Sequence, residues 1–434
     1  MDRRLLEHSP GSDCTLSRAT PARVRARFPS RSDVRTHAAI LGLCLALTYA
    51  FNVATPGLRD RAGQIKGTDF ANFYALGSLA LSDRHETLYD RAALASYSVS
   101  LLPDLKGTYY LPIYGPQVAL FFAPFAVIPY GLALVLWTGI VVAMFAVCCW
   151  LFWRICPKLQ EEAVVVAVVA AASPAFFNLV AHGQNSALAL LCFTGMFFAL
   201  RHQRHFIAGL ALGSLIFKPQ LGLVAACVFV LSRQWGVVGG AIAAAVIQLG
   251  LAWLYFGTDV MLAYAGWLQG VGEINALLAV KLYQMHSLYA LFKLAIPSLW
   301  IATVLYVVGA GICIGGAYLV WRSPAPLQLR FAFLLLATVL ASPHLYVYDL
   351  VILAPAFLIV ADHTVANPEQ VFSKPIERML YFAYALPLAG VVAQVTHVQL
   401  SVIAMGALAV ILFRAIRPQL SNGAELGTVP HPIR

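Results

Sequence analysis

The chain has 434 residues, of which 60% are hydrophobic and 11% charged, and carries a formal net charge of +10 with a mean hydropathy of +0.77. Soluble domains carry about 25% charged residues, so a soluble globular protein is excluded and a polytopic membrane protein is indicated. The apolar runs are helix-length and do not alternate, which favours helices over a β-barrel; the basic excess follows the positive-inside rule and calls for no nucleic acid.

Residues 1–37 contain Arg3, Arg4, Arg18, Arg23, Arg25, Arg27, Arg31 and Arg35 among Pro and Ser. This reads as a disordered basic arm on the cytoplasmic side, too long for the n-region of a cleaved signal peptide. A first span over 38–54 then runs outward. Residues 56–116 are the longest polar interval within the hydrophobic body, with six Lys/Arg and six Asp/Glu. That balance reads as a folded extracytoplasmic loop. Within it, Asp69 to Leu81 and Asp90 to Leu102 carry apolar residues at helical spacing and predict two short helices lying on the membrane.

Apolar runs follow at 117–128, 131–153, 163–181, 186–200, 206–232 and 235–256, then a second polar, aromatic interval over 257–285, then runs at 286–296, 299–321, 328–342, 345–361, 378–398 and 400–416. The expectation is an all-α polytopic protein of roughly 10 to 13 crossings, since a span needs about 20 apolar residues. An integral domain over 38–416 would end in a cytoplasmic tail, 417–434. Several runs are short or broken by proline, which a membrane tolerates only where the break lines a cavity or packs in protein. The eight cysteines form no disulfide framework and no CxxC metal spacing.

The loops at Arg154/Lys158, Arg201/Arg204, Arg233, Arg322/Arg330 and Lys374/Arg378 fit the cytoplasm. Three polar interruptions lack that signature: His182-Gly183-Gln184-Asn185, Lys218-Pro219-Gln220 and Ser342-Pro343-His344. The scheme brings these tips toward the face that holds Asp69, although two crossings within 117–153 would turn the His182 tip inward.

Asp69 opens an apolar-periodic run. It fits two roles: a helix N-cap, or a general base for a hydroxyl at the membrane surface. Lys218 stands at membrane depth beside a proline, with no evident partner, where a free cation suits a phosphate; snorkelling is the alternative. His344 and Asp349 follow the proline break at Pro343, where intramembrane ionisable residues point to function; Tyr346 and Tyr348 between them also fit an aromatic interfacial belt. Gln184 and Asn185 are substrate contacts or polar glue between helices. Tyr110 and Tyr114 are placed to wall a cleft, and His286 is a weaker candidate. No Walker loop, dinucleotide fingerprint, HExxH or serine elbow is present.

Taken in order, Asp69-Phe70-Ala71-Asn72-Phe73-Tyr74, Leu88-Tyr89-Asp90, Tyr110 to Pro116, Pro124 to Pro129 before Trp137, Gly183-Gln184-Asn185, Lys218-Pro219-Gln220, Ser287-Leu288, Ser342-Pro343-His344 and Tyr348-Asp349 resemble glycosyltransferase family 87, within the GT-C superfamily. The resemblance covers Ala38 to Ala361. It implies a GT-C-like fold and a multi-pass enzyme of the inner (plasma) membrane, its N-terminus cytoplasmic. Such enzymes are similar to mannosyltransferases that use polyprenyl-phosphate mannose. The donor would be a polyprenyl-phosphate sugar, the acceptor an envelope glycolipid or glycan, and the step an inverting displacement without cofactor or metal. The base in the first outer loop would fall on Asp69, and Lys218, His344, Asp349, Gln184, Asn185, Tyr110, Tyr114 and His286 would line the substrates. A departure lies at His286-Ser287, where the family pattern has an amide before the serine. A transporter of a lipid or polar solute is the rival reading, since broken helices and intramembrane charge are its signature too; the sequence shows no internal duplication. A non-catalytic scaffold would not need the aspartate.

Overall fold

Backbone that enters lipid must satisfy its own hydrogen bonds, and a helix does so within one segment. The computed structural model describes residues 31–108, 110–270 and 281–425. The basic arm through residue 30, the middle of the second polar interval and the end of the tail lie outside them. Among the described residues every regular element is a helix. Six are long and apolar enough to cross a membrane: Ser32–Val53, Tyr130–Trp153, Trp235–Gln269, Leu299–Trp321, Val347–Ala366 and Ser373–Thr396. A seventh candidate is the pair Ala163–Ala171 and Pro174–His182, bent by 46°, where Ser173 Oγ accepts from Phe176 N at 3.5 Å. Shorter apolar helices, such as Ser186–Arg201, Pro219–Leu231 and Leu327–Ala341, stop at breaks that converge on one face.

The helix Leu327–Ala341 sits at the centre, with Phe331 to Ala341 buried without interruption. A helix apolar all round belongs in a core. The first helix, Arg31–Val53, instead exposes Leu43, Leu47 and Phe51, as a helix facing lipid does. It starts before the expected position 38, and the last helix, Leu400–Glu425, runs past the expected boundary at 417.

The first loop is held by its own charges. Lys66 Nζ donates to the carbonyls of Thr55 and Gly57 at 2.9 and 2.8 Å, Asn52 donates to Asp60 at 2.8 Å, and Arg59 pairs with Asp104 at 3.2 Å. Two loop helices form near the expected places, Thr68–Ala80 and Arg91–Leu101. Asp90 caps the second, accepting from Ala93 N at 2.9 Å. The first does not lie on a surface: ten of its thirteen residues are buried. The reason is aromatic packing. Phe73 stacks on Phe122 with centroids 4.6 Å apart, Phe70 stacks on Trp137 at 6.2 Å, and Tyr74 donates to the Ile128 carbonyl at 2.9 Å.

The polar interval expected from 257 begins as helix. Trp235–Gln269 bends at Gly257, whose φ of 80° and ψ of 179° break it without ending it. The stretch on both sides of the bend covers the loop: Tyr255 donates to the Ala80 carbonyl at 3.0 Å and Trp267 to the Tyr89 carbonyl at 2.8 Å, while Phe256 and Val260 pack with Leu79 and Leu88.

Candidate active site

Four chain segments meet beside the start of the Thr68–Ala80 helix. Its N-cap is Gly67, in the left-handed region at φ 68°, with no side-chain cap. Asp69 therefore does not serve as the N-cap. Its charge sits in the first turn, where the helix dipole favours it, and its carboxylate reaches across the molecule: Asp69 Oδ2 accepts from Gln184 Nε2 at 3.1 Å. Tyr130 fixes the approach, donating to the Lys66 carbonyl at 2.5 Å.

The Gln184–Asp69 bond places the 182–186 turn on the Asp69 face, whatever the number of crossings before it. Gly183 ends the Pro174–His182 helix with a φ of 63°, and its carbonyl accepts from Trp137 Nε1 at 2.9 Å. A side chain here would be doubly unfavourable, since a Cβ would stand 2.6 Å from Phe70 Cβ and positive φ is costly for L residues. The glycine thus lets the helix carrying Asp69 come within reach of Gln184.

Lys218 and Asp349 also converge here, and the expectation of an unpartnered Lys218 is overturned. Its ammonium donates to Asp349 Oδ1 at 2.7 Å, Ser186 Oγ at 2.8 Å and Gln184 Oε1 at 3.2 Å. An ammonium has three protons, and three acceptors surround this one; its side chain is 5% exposed. The Tyr348 ring lies 5.1 Å from Nζ. Asp349 is equally saturated, accepting from Ser186 Oγ at 2.6 Å and from Tyr346 N at 3.1 Å. Snorkelling fails too, because the charge turns inward to a buried partner 131 residues away.

Asp69 is half-buried. Burial pushes its carboxyl above the ordinary carboxylate value; His182, the Gln184 amide and Lys218 oppose that, and Asp349 adds to it. His182 Nδ1 lies 2.9 Å from the Asn178 carbonyl, so that nitrogen carries the proton. Tyr110 donates to the Thr68 carbonyl, beside Asp69. Burial, then the Asp69 charge, raises the phenols of Tyr110 and Tyr114, so both act as neutral walls. His344 packs edge-on against Tyr346 with centroids 5.0 Å apart. Burial lowers its imidazole below the ordinary value, against the pull of Asp349.

The side chains of two expected residues stand apart from this chain of bonds. Asn185 is buried with both side-chain polar atoms unpartnered. His286 is fully buried behind the 342–349 segment, its backbone N donating to the Leu345 carbonyl at 2.9 Å and its Nδ1 2.6 Å from Ser401 Oγ. Burial pushes it down to about 3, so it offers no cation and no open face to a substrate. Ser186 is not a candidate from the sequence, and Gly183 enters there only as part of the Gly183-Gln184-Asn185 motif, with no role of its own. The signal for Ser186 is a polar residue at the buried start of an apolar helix, directly after Gln184-Asn185.

These features define a multi-pass, all-helical membrane protein with one half-open carboxylate and one saturated ion pair at a shared polar site. The model of glycosyltransferase family 87 matches residues 113–343, more than half of the 434 residues, and the chain belongs to that family. It is a membrane glycosyltransferase. The match takes in Tyr114, Gln184, Asn185, Lys218 and His286, and leaves Asp69, Tyr110, His344 and Asp349 outside. No curated protein and no solved structure matches the chain.

Proposed function

We propose that this glycosyltransferase moves a sugar, mannose by its resemblance, from a polyprenyl-phosphate donor to an envelope glycolipid or glycan, in one inverting displacement with Asp69 as general base. The observation that carries the reading is the state of Asp69: half-buried, with one oxygen held by a neutral amide. The acceptor hydroxyl attacks the anomeric carbon and passes its proton to Asp69. The bond from that carbon to the phosphate oxygen breaks, and its electron pair leaves with the polyprenyl phosphate. Proton removal by a placed base contributes roughly 10²–10⁴-fold. His344 is assigned to the leaving-group side, where a neutral imidazole donates a hydrogen bond to the phosphate. Asn185 is assigned to a substrate hydroxyl, its buried amide having no protein partner. The step uses no metal, as expected for a single-phosphate donor.

The basic loops are assigned to the cytoplasm and the site to the outer face of the plasma membrane. Support comes from the convergence of the three tips on one polar site, through Gln184 on Asp69 and Lys218 and through Asp349, close after His344, on Lys218, while Ser186–Arg201 and Pro219–Leu231 run from the site to Arg201 and Arg233 at their far ends. The test is transfer by protein in lipid vesicles supplied with radiolabelled polyprenyl-phosphate mannose and envelope glycolipids. Label should pass to the glycolipid from this donor and not from GDP-mannose. No transfer, together with an unchanged envelope glycolipid profile in a strain lacking the protein, contradicts the reading.

A further inference from the structure

Asp69 and Gln184 are 115 residues apart in sequence and joined by one bond. Gln184 Oε1 faces two donors, Lys218 Nζ at 3.2 Å and Asn185 N at 2.8 Å. An amide turned the other way would set its NH₂ against an ammonium and a backbone N–H, neither of which accepts, and its oxygen against a carboxylate. Only one orientation is satisfied, and it aims Nε2 at Asp69. Lys218 is itself fixed, since Asp349 and Ser186 take its other two protons and Tyr346 N holds Asp349 from behind.

We propose that Gln184 is a positioning residue: the buried Lys218–Asp349 pair sets its amide, and the amide holds Asp69 Oδ2 so that Oδ1 faces the acceptor hydroxyl. The inference rests on Asp69 being the base. Among the described residues no other hydrogen bond to the Asp69 carboxylate is present. A neutral donor suits a base better than a cation would. Lys218 placed directly on Asp69 would stabilise its ionised form and weaken it as a proton acceptor; one amide between them transmits orientation and little charge. The groups facing Asp69 are His182, Lys218 and Asp349, with the phenols of Tyr110, Tyr114, Tyr346 and Tyr348. Gln184 has no charge of its own, so its removal changes Asp69 through a lost hydrogen bond and lost geometry.

The experiment compares Gln184→Met, the double variant Lys218→Met/Asp349→Leu and Asp69→Asn in vesicles, across pH, with polyprenyl-phosphate mannose as the probe donor. Gln184→Met keeps length and removes the donor. Its kcat should fall about ten- to a hundredfold, the scale for a misplaced catalytic group, with donor KM within about threefold of the parent. A hydrogen bond to the carboxylate lowers its pKa, so its loss raises that pKa and the acid limb of kcat/KM moves to higher pH. The double variant removes both charges together and leaves neither unpaired. It should fold and lose kcat in the same direction with donor KM within about threefold of the parent, because Gln184 Oε1 keeps only the Asn185 N–H; its limb also feels the lost Lys218 and Asp349 charges, so the split between kcat and KM is its readout, and it decides the matter if Gln184→Met does not fold. A merely structural Gln184 would lower thermal stability without moving the limb. A folded Gln184→Met with parental kcat and an unmoved limb, or a folded double variant with parental kcat, overturns the inference. If Asp69→Asn is inactive at the same time, the base assignment survives that failure; if Asp69→Asn is fully active, both fall.

Discussion

Asp69 and Asp349 lie on one chain of hydrogen bonds and occupy opposite states. Asp349 is buried and accepts from an ammonium, a hydroxyl and a backbone N–H. Asp69 is half-buried and accepts from one amide. Both are acidic residues beside breaks in apolar helices, and the sequence gives each a claim to chemistry. A carboxylate's neighbours decide its work: a saturated one builds, while one with a free oxygen can take a proton.

The comparison breaks most sharply if the pair is cut on one side. Lys218→Met leaves Asp349 buried and unpaired, and Asp349→Leu does the same to Lys218. Removing one partner of a buried pair costs roughly 3–5 kcal/mol, while replacing both with apolar residues is often close to neutral. Thermal unfolding in detergent should therefore show each single variant far below the parent and the double variant near it. Equal stability of both single variants and the parent would mean that the pair does not hold the site.

A smaller effect sharpens the other half of the comparison. Gly183→Ala keeps every polar group and adds one methyl 2.6 Å from Phe70 Cβ, at a φ of 63°. The strain should cost about 1–3 kcal/mol and push the helix bearing Asp69 away from Gln184. Transfer should fall more than the modest loss in melting temperature explains. A variant with parental transfer would show that the close approach of the two helices is not needed.

Much of this arrangement is legible in the sequence. The lack of charge and the length of the apolar runs yield the helical membrane body. The three polar tips that lack the signature of the basic loops point to their convergence, because the K/R bias sorts loop ends by side. Asp90 opens its helix as a cap-forming residue should. Pairings are not legible. Lys218 looks solitary because its partner is 131 residues away, and no local pattern ties 218 to 349. The Asp69 cap reading fails for a similar reason: Gly67 supplies the turn, and the partner of Asp69 comes from another helix end. The burial of Thr68–Ala80 follows from Phe70, Phe73 and Tyr74 packing against Phe122, Tyr130 and Trp137, contacts that helical periodicity does not reveal. The helix beyond Gly257 shows that one glycine in an apolar run can bend a helix as well as end it.

Transfer depends on Asp69 more than on any other residue, and Asp69→Asn is the variant that tests this. Asparagine keeps size and shape, and the helix needs no cap from this position because Gly67 begins it. The measurement is the transfer rate of the folded variant from polyprenyl-phosphate mannose in vesicles, beside the parent. The account predicts a loss of about two orders of magnitude or more, with thermal unfolding unchanged and donor still bound. Transfer near the parental rate would contradict it.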